Sequence, residues 1–269
     1  MLRIDTTTPS RLVFNMTSSI EKDINFRWGN ISEIILNEYS QKNILAFIDI
    51  NVYEASDVWS KLEEKHPNFT LIPTNLTESS KQVKSLLSCL ERIENVGLSR
   101  RGDILLAIGG GVLLDLISLA ANLYRRGVSV IKVPTTLLGF VDASVGIKTG
   151  VNYLGQRNRL GSYYLDYNVI YDCSLLTTIN VDLVREGLGE IYKIAIIKSK
   201  ELFELLERHS EEITSPKFYQ TESGNRIISL SIQLMLEELH DNPTETNLKR
   251  CVDFGHSFSP LVEMKSLTS

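Results

Sequence analysis

The 269 residues carry 33 acidic against 28 basic side chains, a net charge of −5, and 43% of them are hydrophobic. That is enough apolar material for a sizeable core, in one large domain or two modest ones. The mild, dispersed acidity, with no basic stripe interleaved with aromatics, gives no nucleic-acid partner, and no apolar run approaches the roughly 20 residues that span a bilayer, so no membrane partner is expected.

The first residues, MLRIDTTTPSRLVFNMTSSI, lack an apolar stretch flanked by basic residues, so no secretory leader is expected. Asn43–Asp49 (NILAFID) then reads as a buried strand and Phe69–Pro73 (FTLIP) as a second. Ser80–Val96 places Val83, Leu86, Leu87, Leu90 and Ile93 at helical spacing. Asp103–Ile108 (DILLAI) is a third strand, closed by Gly109, Gly110 and Gly111; Val112–Tyr124 reads as a helix and Val128–Val133 as a fourth strand. Such alternation predicts an α/β domain, a parallel sheet covered by helices, over residues 1–175. Beyond it, Val181–Ile197, Lys200–His209 and Arg226–Leu239 read as helices, with Asp182 placed to cap the first, and predict an incomplete α-helical domain over 176–269. The boundary falls within Tyr153–Thr178. Cys89, Cys173 and Cys251 are far apart and odd in number, which fits neither a disulfide framework nor a thiolate metal site and suits a reducing cytoplasm.

Several segments carry chemistry. Gly109–Gly111, between a strand and a helix, serves either a tight turn or a ligand whose negative charge meets the helix N-terminus. Asp49 and Asn51 follow a strand, where a carboxylate either accepts from a ribose or caps a helix. Glu78 and Lys81, spaced i, i+3, are in the plainest reading a surface ion pair. Val133–Asn158 packs Thr135, Thr136, Asp142, Ser144, Lys148, Asn152, Arg157 and Asn158 among glycines, a density of donors and acceptors seldom found in a structural loop. Glu190 and Lys193 share one helix face and precede an apolar run, Ile194–Ile197, which suggests a helix buried on several sides. His256 in VDFGHSFSP is open to many roles, whereas His66, His209 and His240 sit in polar contexts and read as surface.

The blocks AIGGGVLLD, YRRG, VPTTLLGFVDASVGIKTGVN, RNRLG, GLGEIYK and VDFGHSFSP, in this order between about Asp49 and Glu263, resemble the sugar-phosphate cyclase family that includes dehydroquinate synthase. The resemblance implies an N-terminal NAD-binding domain, a C-terminal helical domain and an active site between them. It implies that Asp49, Asn51, Glu78, Lys81, Gly110, Gly111, Asp115, Thr135, Thr136 and Thr178 contact NAD. By the same resemblance Asp142, Lys148, Asn158, Lys193, Lys249 and Asp253 would face a sugar phosphate substrate, and Arg126 would reach its phosphate across a homodimer interface. Glu190 and His256 would bind a divalent metal, zinc or cobalt. The reaction implied is NAD oxidation of a hydroxyl, loss of phosphate, return of the hydride, ring opening and aldol closure of a carbocycle.

Two departures narrow that expectation. Dehydroquinate synthases usually carry Asn where this chain has Asp253, and a second His where it has Pro260. The resemblance therefore tilts toward the branch that cyclises sedoheptulose 7-phosphate to a valiolone-type cyclitol, with dehydroquinate synthase and the deoxygadusol-forming branch as alternatives. The family's third metal ligand lies in a later L-H-G-E block that does not occur before Ser269, so residues 1–269 alone are expected to be inactive as a cyclase. An NAD-dependent polyol dehydrogenase and a non-catalytic NAD-binding relative are the readings from other classes.

Overall fold

A computed structural model describes residues 24–240, 242–244, 247 and 251–255. Its centre is a six-stranded sheet built from β1 (Phe26–Trp28), β2 (Ile44–Asp49), β3 (Phe69–Thr74), β4 (Ile104–Gly109), β5 (Val130–Pro134) and β8 (Tyr167–Tyr171). The order is β1-β8-β5-β4-β2-β3, and every pairing is parallel. Both faces are covered, as an all-parallel sheet requires, so its central strands β2 and β4 read as near-continuous apolar runs rather than alternating with polar residues. The strand period of two instead divides the residues between two cores. Ile44, Ala46, Ile48, Ile104, Leu106 and Ile108 pack with α1 (Ile31–Glu38), α2 (Ile50–Glu54) and α3 (Val58–Lys65). Leu45, Phe47, Leu105, Ala107 and Val130 face the other way, toward α4 (Val83–Val96) and α5 (Gly111–Leu123).

The second core also takes in the helical half. Val184, Leu188 and Ile191 of α6 (Val181–Lys198), Leu202 and Leu206 of α7 (Lys200–Arg208), and Ile227 and Ile228 of α8 (Glu222–His240) join Leu137, Phe140 and Val130 in one apolar cluster. Asn180, rather than Asp182, caps α6: its side chain accepts from the Leu183 N–H at 2.9 Å, while Asp182 pairs with Arg185 at the surface. Asn180 is extended and sits just outside the helix, where a short acceptor reaches the third amide; Asp182 is already within the first turn. Only one face of this helix is buried. Ile194 and Ala195 lie inside, but Ile196 is 60% exposed.

Between β5 and β8 the chain makes a π-helical turn, Gly139–Ala143, and a two-stranded antiparallel ribbon, β6 (Lys148–Tyr153) with β7 (Gln156–Tyr163). Leu154 and Gly155, both at positive φ, form the two-residue turn. His66 corrects the surface expectation. It is 1% exposed, and its Nε2 lies 3.0 Å from the Tyr39 carbonyl oxygen.

One close approach fixes how the two halves meet. A Cβ on Gly187 of α6 would lie 2.6 Å from both the Leu137 Cβ and the Leu138 backbone nitrogen, whereas one on Gly189 would meet nothing within 4 Å. Gly187→Ala must therefore push α6 off the 137–138 segment. Overpacking of this kind costs about 1–3 kcal/mol. Gly189→Ala should instead stabilise by up to about 1 kcal/mol, because alanine is the better helix former. Denaturant melts of the two variants side by side check this; equal shifts would show that the contact does not hold.

Candidate active site

In parallel sheets ligands gather at the carboxyl ends of the strands, where successive connections part to opposite sides. Here β2 connects outward to β3, and the chain then returns to β4 on the other side of β2. At that edge stand Asp49 at the end of β2, Gly109–Gly111 at the end of β4, and Thr135 and Thr136 after β5. The Thr135 N–H donates to the Gly109 carbonyl at 3.0 Å, and the Gly139 N–H to the Thr136 hydroxyl at 3.1 Å. A Cβ on Gly110 would lie 3.1 Å from the Thr136 methyl, so the turn packs closely on the segment after β5. Gly110 is the N-cap of α5, and no side chain caps that helix. An uncapped N-terminus of a 13-residue helix at this edge fits a diphosphate. Asp49 and Asn51 share the edge, but the Asp49 carboxylate accepts from the Asn51 N–H at 2.9 Å and caps α2, the plainer of the two roles open to it. Thr178 ends a 3-10 turn, Cys173–Thr178, that packs beside α2; its side chain lies outside the described residues.

The pairing of Glu78 and Lys81 differs from the sequence expectation. Lys81 is 3% exposed and turns inward, donating to Asp115 Oδ2 at 2.6 Å and to Asn158 Oδ1 at 2.7 Å. Glu78 instead accepts from Asn152 Nδ2 at 2.9 Å and pairs with Arg157 Nε at 3.3 Å. Asn152 closes the circuit, because its Oδ1 accepts from the Asn158 N–H at 2.8 Å. The reason is local. Residues 78–80 form a 3-10 turn rather than helix, so i and i+3 do not share the face that an α-helix would give them. The network seats Asn158, at φ +47°, against residues expected to meet NAD. Asn152 is thus a positioning residue, visible in the sequence only as one polar side chain among many.

Around Asp142 the remaining groups converge. Glu190 and Lys193, three residues apart on α6, form an ion pair at 2.7 Å with both side chains about 15% exposed. Asp142 reaches solvent, yet enough protein surrounds it that burial, then the negative charges of Glu190 and Asp115, pushes its carboxyl up to about 6 against the pull of Lys193 and Lys148. Glu190 is itself paired with Lys193 and Asp115 with Lys81, so the acidic groups of the cluster are matched by lysines. Carboxylate oxygens suit a divalent cation, and Glu190 is the expected ligand whose place is seen. Among the described residues no group of three or more His, Cys, Asp or Glu side chains could hold a metal ion. His256 and Lys249 lie outside the described residues.

Two expected site residues stand apart. Arg126 follows the carboxyl end of α5, at positive φ and exposed. A 13-residue helix separates it from Gly110 by about 20 Å, beyond the reach of an arginine side chain. Asp253 lies on a 3-10 turn, Cys251–Asp253, packed against α6. Lys132, which the sequence reading passed over, is buried in β5 next to the acidic cluster, whose Asp115 and Asp142 act on it.

The raised Asp142 carboxyl fixes a sign. Its folded value, near 6, lies above its ordinary 3.8. The folded state therefore holds the proton more tightly, and this group's contribution to stability is full below about pH 4 and is lost as pH rises through 6. Asp142→Asn, which cannot ionise, should melt above the parent at pH 7.5 in metal-free, cofactor-free protein, and the gap should close toward pH 4. Thermal melts across that range check it; a gap independent of pH would overturn the assignment.

Comparison with known proteins supplies the family. The 3-dehydroquinate synthase N-terminal family matches residues 71–186, and its C-terminal counterpart matches 187–269. A 2-epi-5-epi-valiolone synthase from Actinomyces sp. is 40% identical over 227 residues, which cover 82% of this chain and 60% of the relative. A 3-dehydroquinate synthase from Saccharolobus solfataricus is 33% identical over 207 residues, 77% of this chain and 57% of the relative. The chain thus spans little more than half the length of these curated relatives. Among solved structures, ValA, the 2-epi-5-epi-valiolone synthase of Streptomyces hygroscopicus subsp. jinggangensis 5008 with NAD+ and Zn2+ bound, superposes with a TM-score of 0.87 at 35% identity, over 94% of this chain and 71% of that one. The fold, the edge at which its polar residues gather and these matches agree: the chain belongs to the dehydroquinate synthase-like sugar-phosphate cyclases.

Proposed function

We propose that this chain carries the working surface of an NAD- and divalent-metal-dependent cyclase that converts sedoheptulose 7-phosphate to a valiolone-type cyclitol with loss of phosphate. The observation that carries the reading is the gathering of Glu190, Lys193, Lys148 and Asp115 within electrostatic reach of Asp142, beside the uncapped N-terminus of α5. Relatives that are valiolone synthases, and a structural neighbour holding NAD+ and Zn2+, support the same reading.

When bound, NAD supplies a reversible hydride acceptor and the metal a Lewis acid. Gly110, Gly111, Thr135 and Thr136 form the edge that would receive the cofactor's diphosphate, with Glu78, Lys81 and Asp115 beside it. Glu190 and His256 would hold the metal. Lys193, oriented by Glu190, is placed to donate to a substrate oxygen. Asp142, with a carboxyl that titrates near neutrality, is able to take up and return a proton. Lys148 and Asn158 offer donors to hydroxyl or phosphate oxygens. Arg126 would serve the site of a second copy, which makes the working unit a homodimer.

The test has two arms. Calorimetric titration should show NAD binding to the chain, and absence of binding to a folded sample would count against the whole assignment. In the full-length enzyme with zinc or cobalt, sedoheptulose 7-phosphate should release phosphate, a chelator should abolish the release, and the seven-carbon substrate of 3-dehydroquinate synthase should release none. Turnover of the latter instead would move the protein to the dehydroquinate branch.

A further inference from the structure

β5 contains one residue that its surroundings do not ask for. Val130 points into the larger core, Ile131 and Val133 into the smaller one, and Lys132, on the side of Val130, is 1% exposed. An apolar side chain would fill that position at less cost, since a charge taken out of water needs compensation. Among the described residues Lys132 forms no ion pair. Its ammonium donates to the Gly146 carbonyl at 2.8 Å and to the Ala143 carbonyl at 3.2 Å, and it lies 3.9 Å from the centre of the Tyr167 ring. The Tyr167 hydroxyl in turn donates to the Val145 carbonyl at 2.7 Å. Two side chains from the sheet thus gather the carbonyls of residues 143, 145 and 146.

Those carbonyls belong to the bend between the π-helical turn that holds Asp142 and strand β6, which opens with Lys148. The shape of the bend sets how far apart, and at what angle, Asp142 and Lys148 stand. We propose that Lys132 is a positioning residue of the active site: by holding the Ala143 and Gly146 carbonyls from beneath, it fixes the bend that presents Asp142 and Lys148 to the substrate. What the bend presents them to rests on the cyclase reading; that Lys132 holds the bend does not. Burial draws the Lys132 ammonium down to about 8, against the opposing pull of Asp115 and Asp142. The charge is therefore kept in an environment that works against it, which a filler of the core would not need.

Lys132→Met keeps the length of the stem and removes the donors; Lys132→Arg keeps donors. Amide hydrogen exchange on the chain should show residues 142–148 opening about tenfold faster in Lys132→Met, while the amides of β4, residues 104–109, keep their protection. NAD affinity should stay within about twofold, because a local change in the bend leaves the glycine turn alone. In the full-length enzyme kcat/KM should fall about 10–100-fold, as for a small misplacement of groups facing the substrate, and Lys132→Arg should recover most of it. Equal loss of protection in β4 would mean a general destabilisation and overturn the proposal, as would unchanged exchange at 142–148 or a kcat/KM within about twofold of the parent. If the parent enzyme turns over no sugar phosphate, the cyclase reading fails, and the exchange contrast alone decides whether Lys132 holds the bend.

Discussion

Parallel pairing of β2, β4 and β5 is the constraint on which the rest of the molecule depends. Parallel neighbours put all their carboxyl ends on one edge, and the register of these three brings Asp49, Gly109 and Pro134 to it together. The connections leaving that edge are the ones that carry the polar residues. The helix after β4 begins there without a cap, and the turn after β5 bends back over the glycines. Had any of these pairs been antiparallel, the same side chains would have lain at opposite ends of the sheet, roughly 15 Å or more apart for strands of this length.

A second layer of order comes from charges placed where water reaches poorly. Lys81 joins three stretches distant in sequence, the start of α4, the middle of α5 and the β6–β7 ribbon, through one ammonium. An exposed pair would contribute little. Here the lysine is nearly sealed and Asp115 is 22% exposed at its side chain, so removing either partner would strand a charge at a cost of a few kcal/mol. The ribbon needs such an anchor. β7 is exposed along almost its whole length and has no core of its own, so its placement depends on the packing of β6 against α5 and on this knot.

The sequence made the central strands and the long helices legible, because NILAFID, DILLAI and the spacing in α4 leave few alternatives. It did not make the ribbon legible. β7 reads QRNRLGSY, neither alternating nor apolar, and it depends on the turn at Leu154 and Gly155 and on Gly161, where a Cβ would lie 2.2 Å from the Thr149 carbonyl oxygen. The helices α1 to α3 were missed because short helices owe most of their stability to tertiary packing rather than propensity. The residue types at the site were legible, but their partners were not. Lys81 looked like half of a surface pair until the 3-10 turn directed it inward, and His66 looked exposed because its neighbours in sequence are polar while its neighbours in space include Tyr39 and Phe69. Lys132 gave no signal at all, since one lysine in a strand reads as an edge or a solvent-facing position.

The charged groups around Asp142 also explain why such a site stands at odds with the stability of the bare chain. Burial resists the ionised forms of both Asp142 and Lys132, in opposite directions of pKa. Each would be easier to accommodate as an uncharged residue. Whatever binds the ionised arrangement, and does not bind the unfolded chain, must then stabilise the fold by mass action. The burial that opposes ionisation and the affinity for a ligand that favours the ionised forms are therefore two sides of one electrostatic balance.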